Sequence, residues 1–160
     1  MADFDPFQPF RDHRQLVLRL EGPIVDVIFR RVGPPNPDLP GFFEKKAAKA
    51  IIDTGASDVC IDYRLAHALN LTAIDRRQMR AANGPAVSNI YPVLLSVPEL
   101  DFAERVEAWS GDLGADRGGY WALLGRSFLR SYYFGYDGPQ GLFFAIHVDK
   151  LNRPPPDDED

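Results

Sequence analysis

The sequence predicts an all-β domain in which short strands close into a barrel, with one or two short helices. Three observations lead to this prediction. Short runs of β-branched and aromatic residues recur along the chain, and Gly, Pro, Asn and Asp turn signals separate them. A helical apolar period is found in one or two short segments. Many short strands joined by turns are typical of barrels.

The first half of the chain is predicted to contain four strands and one long loop. Gly22-Pro23 marks a tight connection between the first two strands. The four prolines from Pro34 to Pro40 predict the loop, because proline cannot donate the backbone hydrogen bond that regular structure needs. The predicted strands are Gln15–Leu20, Ile24–Phe29, Ala47–Ile52 and Val59–Ile61.

The second half is predicted to contain two hairpins and two helical segments. Asp62 is a suitable N-cap for a helix of one to two turns that stops at Asn70, and Arg126–Leu129 can form a helical turn. Asn83-Gly84 favours a hairpin turn, because both residues tolerate positive φ. The predicted hairpin strands are Met79–Ala82 with Val87–Val97 and Ser131–Tyr136 with Leu142–Val148, and Trp109–Tyr120 is predicted to be a loop.

Composition and length indicate one globular domain. The chain has 160 residues, of which 45% are hydrophobic and 26% charged, as in an ordinary soluble domain. Phe and Pro alternate at the start, and a Pro-rich acidic stretch stands at the other end. We therefore expect a flexible N-terminal segment over residues 1–14, a folded domain over 15–149 and a disordered tail over 150–160.

Several classes of partner are not expected. The net charge is −5, and the basic residues form no stripe that would bind nucleic acid. No apolar run approaches the ~20 residues of a membrane span. The lone cysteine, Cys60, excludes an internal disulfide and favours a cytoplasmic location for the protein. We expect this cysteine to be buried in the fold as a small hydrophobic residue. His13, His67 and His147 lack metal-ligand spacing, so we expect no metal or cofactor.

The strongest functional signal is an Asp-Thr-Gly sequence in a particular context. Two bulky aliphatic residues precede it, a small residue and a serine follow it, and about seventy residues later an apolar pair leads into a glycine and a helical turn. These segments are Ile51-Ile52-Asp53-Thr54-Gly55-Ala56-Ser57 and Leu123-Leu124-Gly125-Arg126-Ser127-Phe128-Leu129. Together they resemble the retropepsins, the single-lobe aspartic peptidases of retroviruses and their bacterial and eukaryotic relatives.

The resemblance implies a single-lobe acid-protease β-barrel with aspartic endopeptidase activity centred on Asp53. In that chemistry one carboxyl activates a water while another protonates the peptide carbonyl, so two carboxyls must lie close together. The sequence has no second Asp-Thr-Gly or Asp-Ser-Gly. The resemblance therefore implies a homodimer that supplies one Asp53 from each subunit, needs no cofactor and favours acidic to neutral pH.

The resemblance also implies roles for residues around Asp53. The Thr54 hydroxyl would link the two active-site loops across the dimer, and Gly55 would let backbone and substrate approach. Gly125 would pack under the loop, with Arg126 supporting it. An extended peptide would be bound between a flap and the loop. The residues implied are Ala82, Asn83, Gly84, Pro85 and Ala86 in the flap and Ala56, Ser57 and Asp58 in the loop.

The sequence departs from the viral pattern at the dimer contacts. Viral relatives carry an acidic residue two positions after the Gly of Asp-Thr-Gly, and it pairs with the arginine after the later glycine. Ser57 holds that place here, so we expect Asp58 to pair with Arg126 instead. Ser127 replaces the usual Asp or Asn after that arginine.

Alternative interpretations stay open. The chain could keep the fold and the Asp-Thr-Gly loop while cleaving little or nothing, as a dimerisation or peptide-binding module. Asp53 could lie in a surface turn, Asn83-Gly84 in an ordinary hairpin, and Arg126 in a purely structural ion pair.

Overall fold

The computed structural model of the chain describes residues 8–38, 43–81 and 83–151, with side chains from residue 12 onward. It divides into two compact units. One consists of residues 1–22 and 129–160, and the other of residues 23–128.

The unit of residues 23–128 is a closed β-barrel. Its strands are β1 Ile24–Arg31, β2 Lys45–Ile52, β3 Cys60–Asp62, β4 Asp75–Ala81, β5 Gly84–Val97, β6 Phe102–Gly111 and β7 Ala122–Leu124. They are ordered β1-β2-β7-β3-β6-β5-β4, and β1 also pairs with β5. Six strands therefore close a ring, and β4 lies outside it, next to β5. The predicted all-β barrel is confirmed.

Alternating side chains of the strands fill the barrel. Along β1 the buried positions are Val25, Val27 and Phe29, whereas Asp26 between them is exposed. This is the period of two that places successive side chains on opposite faces of a sheet. Each aliphatic or aromatic side chain that is buried in this way contributes about 1.5–3 kcal/mol to the free energy of folding. The barrel interior is therefore a packed core.

Helix α2 Tyr63–Ala68 follows β3 and confirms the predicted short helix. The Asp62 carboxylate caps it by accepting a hydrogen bond from the Arg64 N–H at 2.9 Å. Asn70 adopts a positive φ of 51° just after the helix, as the sequence predicts for a stop residue. Helix α3 Arg126–Leu129 follows β7 and confirms the second helical segment, and 3-10 turns lie at Pro98–Leu100 and Ala115–Arg117.

Asp62 also holds the loop between β6 and β7. Its fully buried carboxylate accepts hydrogen bonds from the N–H groups of Leu113 and Ala115 at 2.9 and 3.3 Å and from the Arg64 guanidinium at 3.1 and 3.2 Å. Burial raises the pKa of Asp62, but the hydrogen bonds outweigh burial, so this pKa lies below its ordinary value. One buried carboxylate thus joins the start of α2 to a loop about fifty residues later in the chain.

The other unit consists of a hairpin and the helix that packs on its turn. Arg14 donates a hydrogen bond to the Gln140 carbonyl at 3.3 Å, and Gln15 donates one to the Pro139 carbonyl. A Cβ on Gly141, which has a φ of 64°, would lie 2.3 Å from the backbone nitrogen of Gln15, so this close approach requires glycine. The elements are α1 Gln8–Glu21, β8 Tyr132–Asp137, β9 Leu142–His147 and α4 Val148–Leu151.

The strand predicted at Gln15–Leu20 is wrong, because these residues belong to α1. Leu, Arg and Gln are good helix formers, and Val17 is the single β-branched residue of this run. The Gly22 N–H donates to the Leu18 carbonyl at 3.0 Å, and Gly22 has a φ of 79°. Gly22-Pro23 is therefore a helix stop and not a connection between strands.

Other boundaries differ less. The loop predicted at Trp109–Tyr120 is wrong in its first part, because β6 continues to Gly111. Residues 8–14 of α1 fall within the segment that is predicted to be flexible. Residues 1–7 and 152–160 lie outside the described residues. The flexible N-terminal segment, the disordered tail and the domain limits therefore stay predictions. No helix in the described ranges is long and apolar enough to cross a membrane.

Replacement of Asp62 by Asn should lower the free energy of unfolding by about 3 kcal/mol, the usual cost of breaking a buried charged pair. The measurement is urea unfolding at neutral pH. Because the pKa of Asp62 is lowered on folding, its ionised form stabilises the fold above the ordinary value of 3.8, and the difference between the proteins should shrink as the pH falls below that value.

The matched control is Asp26→Asn, which breaks the exposed ion pair with Lys49. It should change stability by less than about 1 kcal/mol. Equal effects of the two substitutions would contradict the central role of Asp62.

Candidate active site

The Asp-Thr-Gly loop, residues 53–59, joins β2 to β3 at one end of the barrel. Strand β2 pairs in parallel with β7, and Ile52 stands opposite Leu124. The Asp53 N–H continues this ladder by donating to the Leu124 carbonyl at 3.0 Å. The two sequence segments that carry the retropepsin resemblance therefore lie side by side, and Asp53 is fixed where both strands end.

The loop folds back on Asp53 in a tight turn. The Ala56 N–H donates to the Asp53 carbonyl at 3.2 Å, and the Gly55 N–H donates to the Asp53 carboxylate oxygen Oδ1 at 2.8 Å. A Cβ on Gly55 would lie 3.0 Å from that oxygen, so glycine gives the carboxylate its room. Within the described residues no donor reaches Oδ2, and the side chain is partly exposed. One carboxylate oxygen is held and the other is open.

Gly125 lies directly beneath the loop. A Cβ there would stand 2.4 Å from the carbonyl oxygen of Asp58, 2.7 Å from that of Ala56 and 2.8 Å from the backbone nitrogen of Asp58. Such distances are far inside van der Waals contact, so no other residue fits without moving the loop. The packing of Gly125 under the loop matches the role that the family resemblance implies.

The first residues of α3 donate hydrogen bonds to backbone carbonyls on the underside of the loop. The Arg126 N–H donates to the Ala56 carbonyl and the Ser127 N–H to the Ser57 carbonyl, each at 2.9 Å. These N–H groups are free to do so because the first N–H groups of a helix have no partner within it. The short helix after Gly125 therefore supports the loop through its backbone.

The expected Asp58–Arg126 ion pair is wrong. The Arg126 guanidinium donates instead to the carbonyl oxygens of Thr54 and Gly55 at 2.9 and 3.1 Å. Asp58 accepts a hydrogen bond from the Ser57 hydroxyl at 2.8 Å. The planar guanidinium has several donors, so it can bond two carbonyls of one turn at once. Arg126 thus supports the loop through its backbone oxygens.

Cys60 lies just beyond the loop, at the start of β3, and is half-buried. Burial, together with the negative charges of Asp58 and Asp53, raises the pKa of its thiol to about 11. The thiol is therefore protonated at neutral pH and is a weak nucleophile. The low reactivity agrees with the expectation for a residue without a chemical role, but Cys60 is only half-buried and not buried as predicted.

The predicted flap is a hairpin that extends beyond the barrel. Strand β5 begins earlier than predicted, because its first residues, Gly84, Pro85 and Ala86, pair with Ala81, Arg80 and Met79 of β4. The turn therefore lies around Asn83, and Ala82 is outside the described residues. Strand β6 pairs with β5 from Ile90 onward, whereas residues 84–89 have β4 as their strand partner. No hydrogen bond joins the described tip residues 83–86 to the loop 53–58. The described residues hold no cluster suited to a metal ion.

Comparison with known proteins supports the resemblance. A family model described as aspartyl protease matches residues 39–128, more than half of the chain. The chain belongs to the aspartyl protease family. The matched region of this aspartyl protease family member includes β2, the Asp53 loop, the hairpin, Gly125 and Arg126. The family resemblance predicted from the two sequence motifs is therefore confirmed. No curated protein matches the chain.

Two solved structures are similar to the chain at low sequence identity. A retropepsin-like aspartic protease from Rickettsia conorii has a TM-score of 0.40 and 21% identity, over 71% of this chain and 86% of the other. The simian foamy virus (mac) protease has a TM-score of 0.39 and 18% identity, over 52% of this chain and 81% of the other.

The sequence did not reveal two supporting contacts. The backbone N–H donors of α3 have no residue signature beyond the position of Gly125 itself. The carbonyl partners of Arg126 lie about seventy residues away, and any residue could supply a carbonyl.

Gly125→Ala should displace the loop, because the new methyl group would collide with two backbone carbonyls. We expect a loss of about 1–3 kcal/mol in the free energy of unfolding, as for other overpacked sites. Denaturant unfolding measures it. Gly111→Ala is the control, since a Cβ there meets no atom within 4 Å; a Gly125→Ala protein as stable as this control would contradict the packing described.

Proposed function

We propose that this aspartyl protease family member is an endopeptidase in which two copies of the chain each supply one Asp53. The observation that carries the proposal is the state of the Asp53 carboxylate. One oxygen accepts a hydrogen bond from Gly55, while the other has no donor in the described part of the chain. A rigidly held carboxylate with one open oxygen is suited to act on a water molecule.

The proposed chemistry needs two such carboxyls that share one proton. The ionised carboxylate removes a proton from water, and the resulting hydroxide oxygen bonds to the peptide carbonyl carbon. The protonated carboxyl gives its proton to the carbonyl oxygen. Collapse of this tetrahedral intermediate breaks the C–N bond, and a proton passes to the leaving nitrogen. No covalent enzyme intermediate and no metal ion is required.

A second copy of the chain is the proposed source of the partner carboxyl. The 160 residues contain a single Asp-Thr-Gly. The tip of its loop is accessible, because Thr54, Gly55 and Ser57 are exposed while the carbonyls beneath them are bonded to α3. An exposed and well-supported tip is what a symmetric contact needs, since each copy presents the same surface to the other.

The substrate is proposed to be an extended peptide that pairs with β4. This strand is the last of the sheet, with β5 on one side and no strand on the other within the described residues. A free strand edge binds an extended peptide through backbone hydrogen bonds, and the side chains of the peptide then alternate between the two faces. The β4–β5 hairpin would act as the flap that covers the peptide.

Asp53→Asn should reduce cleavage of an unfolded protein substrate at least about 100-fold, because an amide can neither activate water nor share a proton. The assay covers about pH 4 to about pH 7, because the activity depends on a carboxyl pair that shares one proton. A pepstatin-type inhibitor should block the wild type. Asp26→Asn, an exposed substitution on β1, should cleave like the wild type.

Absence of cleavage by the wild type at every pH would contradict this proposal and favour the dimerisation or peptide-binding module. Cleavage by Asp53→Asn at the wild-type rate would indicate a contaminating protease or another site. The cytoplasmic location stays a prediction that depends on the single cysteine.

A further inference from the structure

The free edge strand β4 carries an unusual charge for this acidic chain. The strand has the sequence DRRQMRA, with three arginines and one aspartate, whereas the chain as a whole has a net charge of −5. Its partner strand, β5, contributes no charged residue. The hairpin is therefore a positive element on a negatively charged protein.

The arginines of β4 lie on different faces of the hairpin. Arg77 stands opposite Ser88, which is buried, so Arg77 shares the face that turns toward the barrel. Arg76 stands opposite Asn89 and Arg80 opposite Pro85, both of which are exposed. Arg76 and Arg80 therefore share the outer face, about 13 Å apart along a strand that rises about 3.3 Å per residue.

The two outer arginines differ from Arg77 in their partners. Arg77 donates to the Asp75 carboxylate at 2.6 Å, which neutralises it. Within the described ranges, Arg76 and Arg80 make no ion pair, and both are exposed. The positive charge that remains available on β4 therefore belongs to these two residues.

We propose that Arg76 and Arg80 make this protein prefer peptides with acidic side chains at two positions four residues apart. A peptide strand paired with the β4 edge would place every second side chain on the outer face, so positions i and i+4 would stand beside the two arginines. This inference rests on the proposed function, and it names the substrate class of the same site. Arg76 and Arg80 would select substrate without touching the reacting atoms.

The test begins with the binding of labelled peptides to the Asp53→Asn protein, in which cleavage does not interfere. Four peptides share one uncharged sequence and differ at two positions. The first has Glu at two positions four residues apart, and the second and third have Gln or Lys at the same two positions. The fourth has two Glu five residues apart. At low ionic strength the first peptide should bind roughly tenfold more tightly than the Gln peptide, because two exposed ion pairs together contribute about that factor. The Lys peptide should bind more weakly than the Gln peptide.

The five-residue spacing is the geometric control. It places the second Glu on the opposite face, so this peptide should keep about half of the gain in binding free energy, or roughly threefold in affinity. The preference should also weaken as salt is added, because exposed charges are screened. Fluorescence anisotropy measures all four affinities.

The double substitution Arg76→Gln, Arg80→Gln should abolish the preference for Glu over Gln. Arg105→Gln is the matched control, because Arg105 is an exposed arginine on β6, away from the free edge, and its loss should leave the preference unchanged. In the active protein, the double substitution Arg76→Gln, Arg80→Gln should raise KM for the Glu peptide and leave kcat unaltered. A fall in kcat with an unchanged KM would overturn the proposal, because a residue that only recognises the peptide acts on binding.

The outcomes separate this inference from the proposed function. Equal affinity for the four peptides, or binding of none, would overturn the acidic preference while leaving cleavage of an unfolded protein as independent support for a peptidase. A Glu preference that survives the double substitution would also overturn it. If the Glu preference is found but no substrate is cleaved, the inference on recognition holds and the proposed chemistry fails.

Discussion

The position of Asp53 depends on the contact between the loop backbone and Gly125. A side chain at that place would overlap carbonyl oxygens of Ala56 and Asp58, so the absence of a Cβ lets the loop lie directly on the start of α3. This close approach also brings the first N–H groups of the helix within hydrogen-bonding distance of the loop carbonyls. Two segments about seventy residues apart are thereby joined into one site.

The result is a loop that is bonded beneath and open above. Backbone carbonyls of four successive residues, 54–57, accept hydrogen bonds from Arg126 or Ser127. These bonds tie the backbone of the turn to the start of α3. Thr54 and Gly55 at the tip are exposed, and the outer oxygen of Asp53 faces no donor within the described residues. The arrangement keeps the carboxylate in place while leaving it available to water and to a second copy.

Local signals predicted the parts of the fold that local chemistry decides. The hairpins, the short α2 helix and the Asp53 loop follow from turn residues, a capping aspartate and a strand that ends in Asp-Thr-Gly. The short apolar run Gln15–Leu20 fits both a strand and a helix, and its packing on the β8–β9 turn decides for the helix. The contacts of Arg126 cannot be predicted in the same way, because its acceptors are backbone carbonyls, which every residue carries. Asp62 was recognised as a cap, but its bonds to Leu113 and Ala115 are set by tertiary structure alone.

The most direct test of a site shared between two copies is a mixing experiment. Wild-type and Asp53→Asn chains are unfolded together, refolded at varying ratios and fixed total concentration, and assayed for cleavage. If both aspartates of a pair are needed, an equal mixture should retain about one quarter of the wild-type activity, because about one pair in four then contains two wild-type chains. A retained activity of about one half, proportional to the wild-type fraction, would mean that each chain acts alone and would contradict the account.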